Sequence, residues 1–223
     1  VPDPVARFDR SAAWHFFMVR RGWAPLLVAV LLGALASLIG AYQAPVPAAL
    51  ETGTATVPLW RVLAMGAAVL PVLALHSPLA DLEAAATVRQ ARMERDYLIG
   101  IACAVMVLYF SAAATTLHPL LLAIMLRSVP GWLGLALVSG RLFGSRLAWI
   151  GPLIAICVMT YWGNGSADGG YAWWEFSALP HDDLAGLLVS IGLLGIGVWF
   201  HWAAPQWRWR RRRLNPSETS ASH

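Results

Sequence analysis

Long apolar runs separated by short polar connections dominate the chain. A helix needs about 20 apolar residues to cross a bilayer core. Six runs approach that length, at Trp23–Ala41, Leu59–His76, Tyr97–Leu117, Pro119–Gly140, Leu147–Trp162 and Leu184–Ala204. Their apolar character is continuous rather than alternating, which predicts helices and not the strands of a barrel. The second run carries Arg61 near one end. The fourth carries Arg127 and a Pro130-Gly131 pair that predicts a break, and the fifth is short. The expected fold is all-α: a polytopic membrane protein with a six-helix transmembrane bundle over 23–204. An interfacial amphipathic segment over 1–22 precedes it, and a disordered Arg-rich tail over 205–223 follows.

Arginine placement predicts the orientation. Arg7, Arg10, Arg20 and Arg21 precede the first run. Arg89, Arg92 and Arg95 lie between the second and third, and Arg141 and Arg146 between the fourth and fifth. Arg208, Arg210, Arg211, Arg212 and Arg213 follow the sixth. With six spans, fourteen of the sixteen basic residues fall on one side. The opposite loops, Tyr42–Pro58 and Gly163–Asp183, have acids and no arginine. The positive-inside rule then predicts both termini in the cytoplasm and a plasma-membrane location. Trp23, Trp60, Trp149, Trp162, Trp199 and Trp202 fall near run ends, as an aromatic belt would. The first run follows a basic stretch and lacks a clear A-x-A site, which predicts a retained signal anchor.

Composition strengthens the membrane reading. Of 223 residues, 58% are hydrophobic and 13% charged, and the mean hydropathy is +0.60; soluble domains carry about 25% charged residues. Every basic residue is Arg. Without Lys there is no Walker A loop, no Lys Schiff base and no Ser-Lys dyad. Any ATP chemistry must therefore sit on another chain. Cys103 and Cys157 lie in separate apolar runs, which argues against a disulfide or a metal site between them.

Several polar segments are candidates for function. Arg7–Trp23 mixes aromatics with arginines and suits an interfacial elbow helix or a topogenic basic flank. In Ser77–Asp96, Ser77-Pro78 reads as a helix start. Asp81 and Glu83 come early; Arg89, Arg92, Glu94 and Arg95 come late, an order that mostly complements the helix dipole. This is either a helix that docks a motor subunit or a solvated hairpin. Arg127 is either at the outer mouth of a substrate path, with Glu175 as the nearest candidate partner, or an interfacial residue at a later helix start. The outer stretch Tyr171–Asp183, with Trp173, Trp174 and Glu175, suits a re-entrant gate or interfacial anchoring. The five tail arginines suit contact with anionic lipid and not nucleic acid. Small residues at Gly33 and Ser37, Ala36 and Gly40, and Gly186 and Ser190 permit close helix packing or a dimer interface.

No catalytic signature stands out. There is no H-E-x-x-H, and the histidines lack metal-ligand spacing on one helix. No metal and no cofactor are expected, and no catalytic residue. The layout itself resembles the ABC-2-type exporter permeases: an N-terminal amphipathic segment, six spans, a helical loop after the second and an aromatic outer loop after the fifth. LHSPLADLEAAATVRQAR, WLGLALVSGRLFGSRLAWIGPL and YAWWEF are similar to stretches of small actinobacterial membrane proteins that accompany ABC ATPases. The resemblance implies a permease subunit that pairs with an identical or different second permease. It also implies a separate ABC ATPase subunit, coupled through Ser77–Asp96, and export of a hydrophobic small molecule or peptide. The alternatives are a non-transporting accessory protein or an uncharted membrane enzyme.

Overall fold

The computed structural model describes residues 22–47, 54–76, 88–162 and 171–214, with side chains for all of these but 46–47, 54–55, 88–92 and 203–214. The described chain is mostly helical. Among the described residues six helices follow in order: α1 (Trp23–Ile39), α2 (Leu59–Leu73), α3 (Val88–Ala113), α4 (Pro119–Phe143), α5 (Ile150–Trp162) and α6 (Leu184–Leu214). A single 3-10 turn, Ser145–Leu147, leads into α5.

Packing partners fix the directions. Ala29 of α1 clusters with Ile101 and Val105 of α3, and Gly33 lies against Tyr109, so α1 and α3 run parallel. Ala64 of α2 clusters with Met125 of α4, and Val72 with Leu137. Gly186 of α6 meets Arg127 and Leu193 meets Gly134 of α4. Hence α2, α4 and α6 run together and opposite to α1 and α3. In α2, buried residues surround most of the helix, including Trp60, Ala64, Ala67, Ala68 and Val72. A helix apolar all round belongs at the centre of a bundle, and α2 lies between the α1–α3 pair and the α4–α6 pair.

Among the described residues, four helical segments are long and apolar enough to cross a membrane: Met93–Ala113, Pro119–Phe143, Ser145–Trp162 and Leu184–Trp202. The apolar helices α1 and α2 are shorter, at 17 and 15 residues. At 1.5 Å per residue they reach about 25 and about 22 Å, short of the roughly 30 Å core of an average bilayer. The bundle wears its apolar side chains outside: Leu31, Leu38, Val107, Leu126, Ile154, Leu188 and Ile196 are all exposed. Exposed aromatics crowd its two ends, with Trp23, Phe143, Trp149 and Trp199 at one and Tyr42, Trp162, Tyr171 and Trp173 at the other. That surface suits a bilayer, not water.

The structure departs from the expected elements in four places. First, the Tyr42–Pro58 connection is not plain loop. Strands β1 (Gln43–Pro47) and β2 (Thr54–Pro58) form an antiparallel hairpin, with Gln43 opposite Pro58, Pro45 opposite Thr56 and Pro47 opposite Thr54. The next pair outward is bonded, Leu59 N–H to the Tyr42 carbonyl at 3.0 Å. By alternation the three proline-bearing pairs are the non-hydrogen-bonded ones, so the ladder loses no bond to proline. Second, Pro130-Gly131 does not break α4, which is continuous over 25 residues. Gly131 instead makes room for the Phe176 ring, whose Cε2 would lie 2.6 Å from an added Cβ. Third, the helix expected within Ser77–Asp96 is not separate over its described part: from Val88 it runs unbroken into the expected span as α3, and no Gly or Pro interrupts 88–96. Fourth, α6 continues past the expected span end at Ala204 to Leu214; arginine is a good helix former.

Candidate functional site

The end of the bundle that carries the hairpin is closed by residues 171–183, the described part of the connection from α5 to α6. This capping segment is a chain of tight turns. Glu175 N–H bonds the Ala172 carbonyl at 2.9 Å, Ala178 N–H the Glu175 carbonyl at 3.2 Å, and Asp183 N–H the Pro180 carbonyl at 3.1 Å. The Asp183 carboxylate then caps α6 by accepting from Gly186 N–H at 2.7 Å, the usual role of an N-cap aspartate. The segment is not laid on the surface. Glu175, Phe176 and Ser177 are fully buried.

Two arginines hold it there. Arg61 stands in the first turn of α2 and is buried. Its Nη2 donates to Glu175 Oε1 at 2.5 Å and to Ser177 Oγ at 2.8 Å, and the Ser177 hydroxyl donates to Met159 Sδ of α5 at 3.8 Å. Arg127, in the third turn of α4, is also buried. It donates to four backbone carbonyls: Pro180 and Asp183 from Nη1, Phe176 at 3.1 Å and Leu179 at 2.7 Å from Nη2. An arginine presents five donors in a rigid fork, so one side chain can satisfy several turn carbonyls that burial would otherwise leave orphaned. Between the two cations, Phe176 packs on Trp132 with ring centroids 4.9 Å apart. Met65, Val129, Ile156 and Met159 complete the apolar floor.

The polar set is incompletely paired. Arg61 Nε, Arg127 Nε and Glu175 Oε2 are buried without a hydrogen-bond partner among the described residues. Burial pushes the Glu175 carboxyl above the usual carboxylate range, against the charge and hydrogen bond of Arg61, which pull it down. With one oxygen bonded and the other bare, desolvation outweighs the pair.

The candidate residues read from sequence therefore sort as follows. Arg127, Trp174 and Glu175 meet at one end of the bundle. Glu175 does not pair with Arg127; it reaches Arg61 instead, and Arg127 takes carbonyls. Arg127 is inside a continuous helix rather than at a later helix start. Trp173 points away, 71% exposed. At the opposite end Glu94 and Arg95 stand on the first turns of α3, not on a separate loop helix, and Arg95 lies over the Trp202 ring of α6 at 5.1 Å. Arg89 and Arg92 are on the same helix and Arg208, Arg210, Arg211, Arg212 and Arg213 on α6, their side chains outside the described residues. Asp81 and Glu83 lie outside the described residues altogether. Cys103 and Cys157 are free and exposed.

The chain matches no protein-family model, no curated protein and no solved structure. Sequence reasoning missed Arg61 as a functional residue, although a signal was present. Arg61 and Arg127 are the two arginines left over when the other fourteen are assigned to one face. An arginine that defies that distribution needs a local reason, and here the reason is the capping segment.

Proposed function

We propose that the chain is the transmembrane permease subunit of an ABC-type exporter in a plasma membrane, with six spans and both termini in the cytoplasm. The observation that carries this reading is the capping segment. Between the fifth and sixth helices the chain folds back into the end of the bundle and is seated on α2, α4 and α5. The permease layout puts a re-entrant element at that position. Helices α1, α2 and α5, at 17, 15 and 13 residues, are short beside α3, α4 and α6, which fits a bilayer that thins locally around the bundle. On this reading α3, with its extension through Glu94 and Arg95, faces the cytoplasm with the loop before it. A separate ATPase, which must supply the P-loop lysine this chain lacks, pushes on that region. A second permease subunit completes the path. The cargo leaves at the end closed by the capping segment.

The test is extraction in mild detergent from the native membrane, followed by mass spectrometry of what copurifies. A stoichiometric P-loop ATPase is expected, and reversing Arg89, Arg92 and Arg95 to glutamate together should abolish its binding. A folded protein that brings no ATPase overturns the permease reading and leaves an accessory membrane protein.

A further inference from the structure

Arg61 and Arg127 are the buried arginines of the described chain, and both are at the end where the capping segment sits. A buried guanidinium is normally matched by a carboxylate or saturated with acceptors. Neither condition holds fully here. Arg127 is met by backbone carbonyls, which are neutral. Asp183, the acid nearest its bonds, has its carboxylate on the α6 cap. Arg61 has one carboxylate oxygen and one hydroxyl. Each keeps its Nε–H open. The two cations thus share one buried carboxylate, with the charges of Asp182 and Asp183 also acting on Arg127, and two donors are to spare. Immediately below is an apolar floor of Met65, Trp132 and Met159.

We propose that the seat of the capping segment is a binding site for an anionic amphiphile, an oxyanion headgroup carried on an apolar chain. The oxyanion takes the guanidinium donors of Arg61 and Arg127, and the chain lies on the apolar floor and the lipid-facing wall. Glu175 is the built-in competitor: it delivers the segment's own carboxylate to Arg61 and keeps the seat filled. The turn carbonyls of Phe176, Leu179 and Pro180 do the same for Arg127. A ligand enters as the segment withdraws, because both contend for the same donors. That the bound amphiphile is cargo rests on the permease reading; that it binds does not.

Three probes separate the parts of the ligand. Oleoyl lysophosphatidate has both chain and oxyanion, monooleoylglycerol has the chain alone, and glycerol 3-phosphate has the oxyanion alone. Each is titrated into the purified full-length protein in dodecyl maltoside, reading affinity and thermal protection. Lysophosphatidate should bind the wild type at least about tenfold more tightly than either fragment of itself. Glu175→Gln, which removes the competing charge and leaves both arginines, should tighten lysophosphatidate binding by about tenfold or more. Replacing Arg61 by Met and Glu175 by Leu together should weaken binding by at least about tenfold relative to Glu175→Gln. Equal affinity for lysophosphatidate and monooleoylglycerol overturns the proposal, as does equal affinity for glycerol 3-phosphate. So does a Glu175→Gln protein that is folded and binds no more tightly than wild type. If Glu175→Gln does not fold, the wild-type comparison alone decides. An extraction that yields no ATPase leaves these outcomes standing and removes only the role of cargo.

Discussion

Replacing Arg61 by methionine and Glu175 by leucine, singly and together, measures what the buried pair contributes. The two single changes are not symmetric. Arg61→Met leaves a carboxyl with no counter-charge, but that carboxyl can take a proton. Holding a glutamate neutral at pH 7 rather than at its ordinary pKa of about 4.3 costs about 3.7 kcal/mol, which caps the damage. Glu175→Leu leaves a guanidinium that cannot shed its proton and retains only Ser177 as a bonded partner. No such cap applies, and the loss reaches the upper part of the range of about 3–5 kcal/mol seen when one member of a buried pair is removed. The double variant removes both charges and both unpaired atoms, Arg61 Nε and Glu175 Oε2. It should lie within about 1 kcal/mol of wild type, since apolar replacement of a whole buried pair is often neutral or better. In a chain of this size about 1 kcal/mol corresponds to roughly 2–4 °C in Tm. Arg61→Met should thus fall by no more than about 7–15 °C and Glu175→Leu by more, with the double variant close to wild type. Thermal unfolding in dodecyl maltoside, followed by circular dichroism, reads all four proteins. Additive losses, or a double variant worse than either single one, would refute the pairing argument.

Other expectations follow from the same contacts. In Arg61→Met the Glu175 pKa is raised by burial with nothing to pull it back. Its stabilising contribution is therefore full below the unfolded value of about 4.3 and is lost as pH rises through the folded value. Melting of this variant should worsen steadily from acid to neutral pH, and the double variant should show no such slope. Gly134→Val drives a side chain into the Leu193 backbone of α6, where rigid neighbours cannot yield; overpacking of this kind should lower stability by about 1–3 kcal/mol, read by the same melts. Gly192→Ala, whose added Cβ meets nothing within 4 Å, is the control and should melt no lower than wild type and up to about 2–4 °C higher, since alanine is the better helix former. For orientation, single cysteines at Thr56 and Ser145 in a Cys103→Ala, Cys157→Ala background should react differently with a membrane-impermeant maleimide. Intact spheroplasts should be labelled at position 56 and not at 145; the reverse pattern overturns the orientation.

The helical frame was legible because apolar continuity needs no tertiary information. The starts of α1, α2, α4 and α6 fall where the apolar runs begin, and His118-Pro119 marks the start of α4 through a cap and a first-turn proline. The hairpin was not legible, because Gln43–Pro47 carries two prolines and reads as a strand breaker. It forms only because the prolines occupy positions that donate nothing. The α4 break was misread for a related reason. Pro130 and Gly131 carry local signals for a bend, but the tertiary fit of Phe176 against Gly131 explains the glycine without one. The partnership of Arg61 with Glu175 spans 114 residues, and no periodic pattern encodes so distant a pair. Only the charge census pointed toward it, by leaving Arg61 and Arg127 without a place on the basic face.

The hairpin has a consequence for how this end of the protein meets other molecules. β1 is a terminal strand of a two-stranded sheet, and such edges invite a further strand to zip on through the main chain. Along β1 the outward-facing residues are Gln43, Pro45 and Pro47, and two of the three have no N–H to offer. An incoming strand would find carbonyls and a single donor, too little for a ladder. The edge is silent toward backbone recognition. Neighbouring copies gain no strand pairing along β1, and main-chain recognition at this end is left to β2, whose outward-facing Thr54 and Thr56 keep their N–H groups.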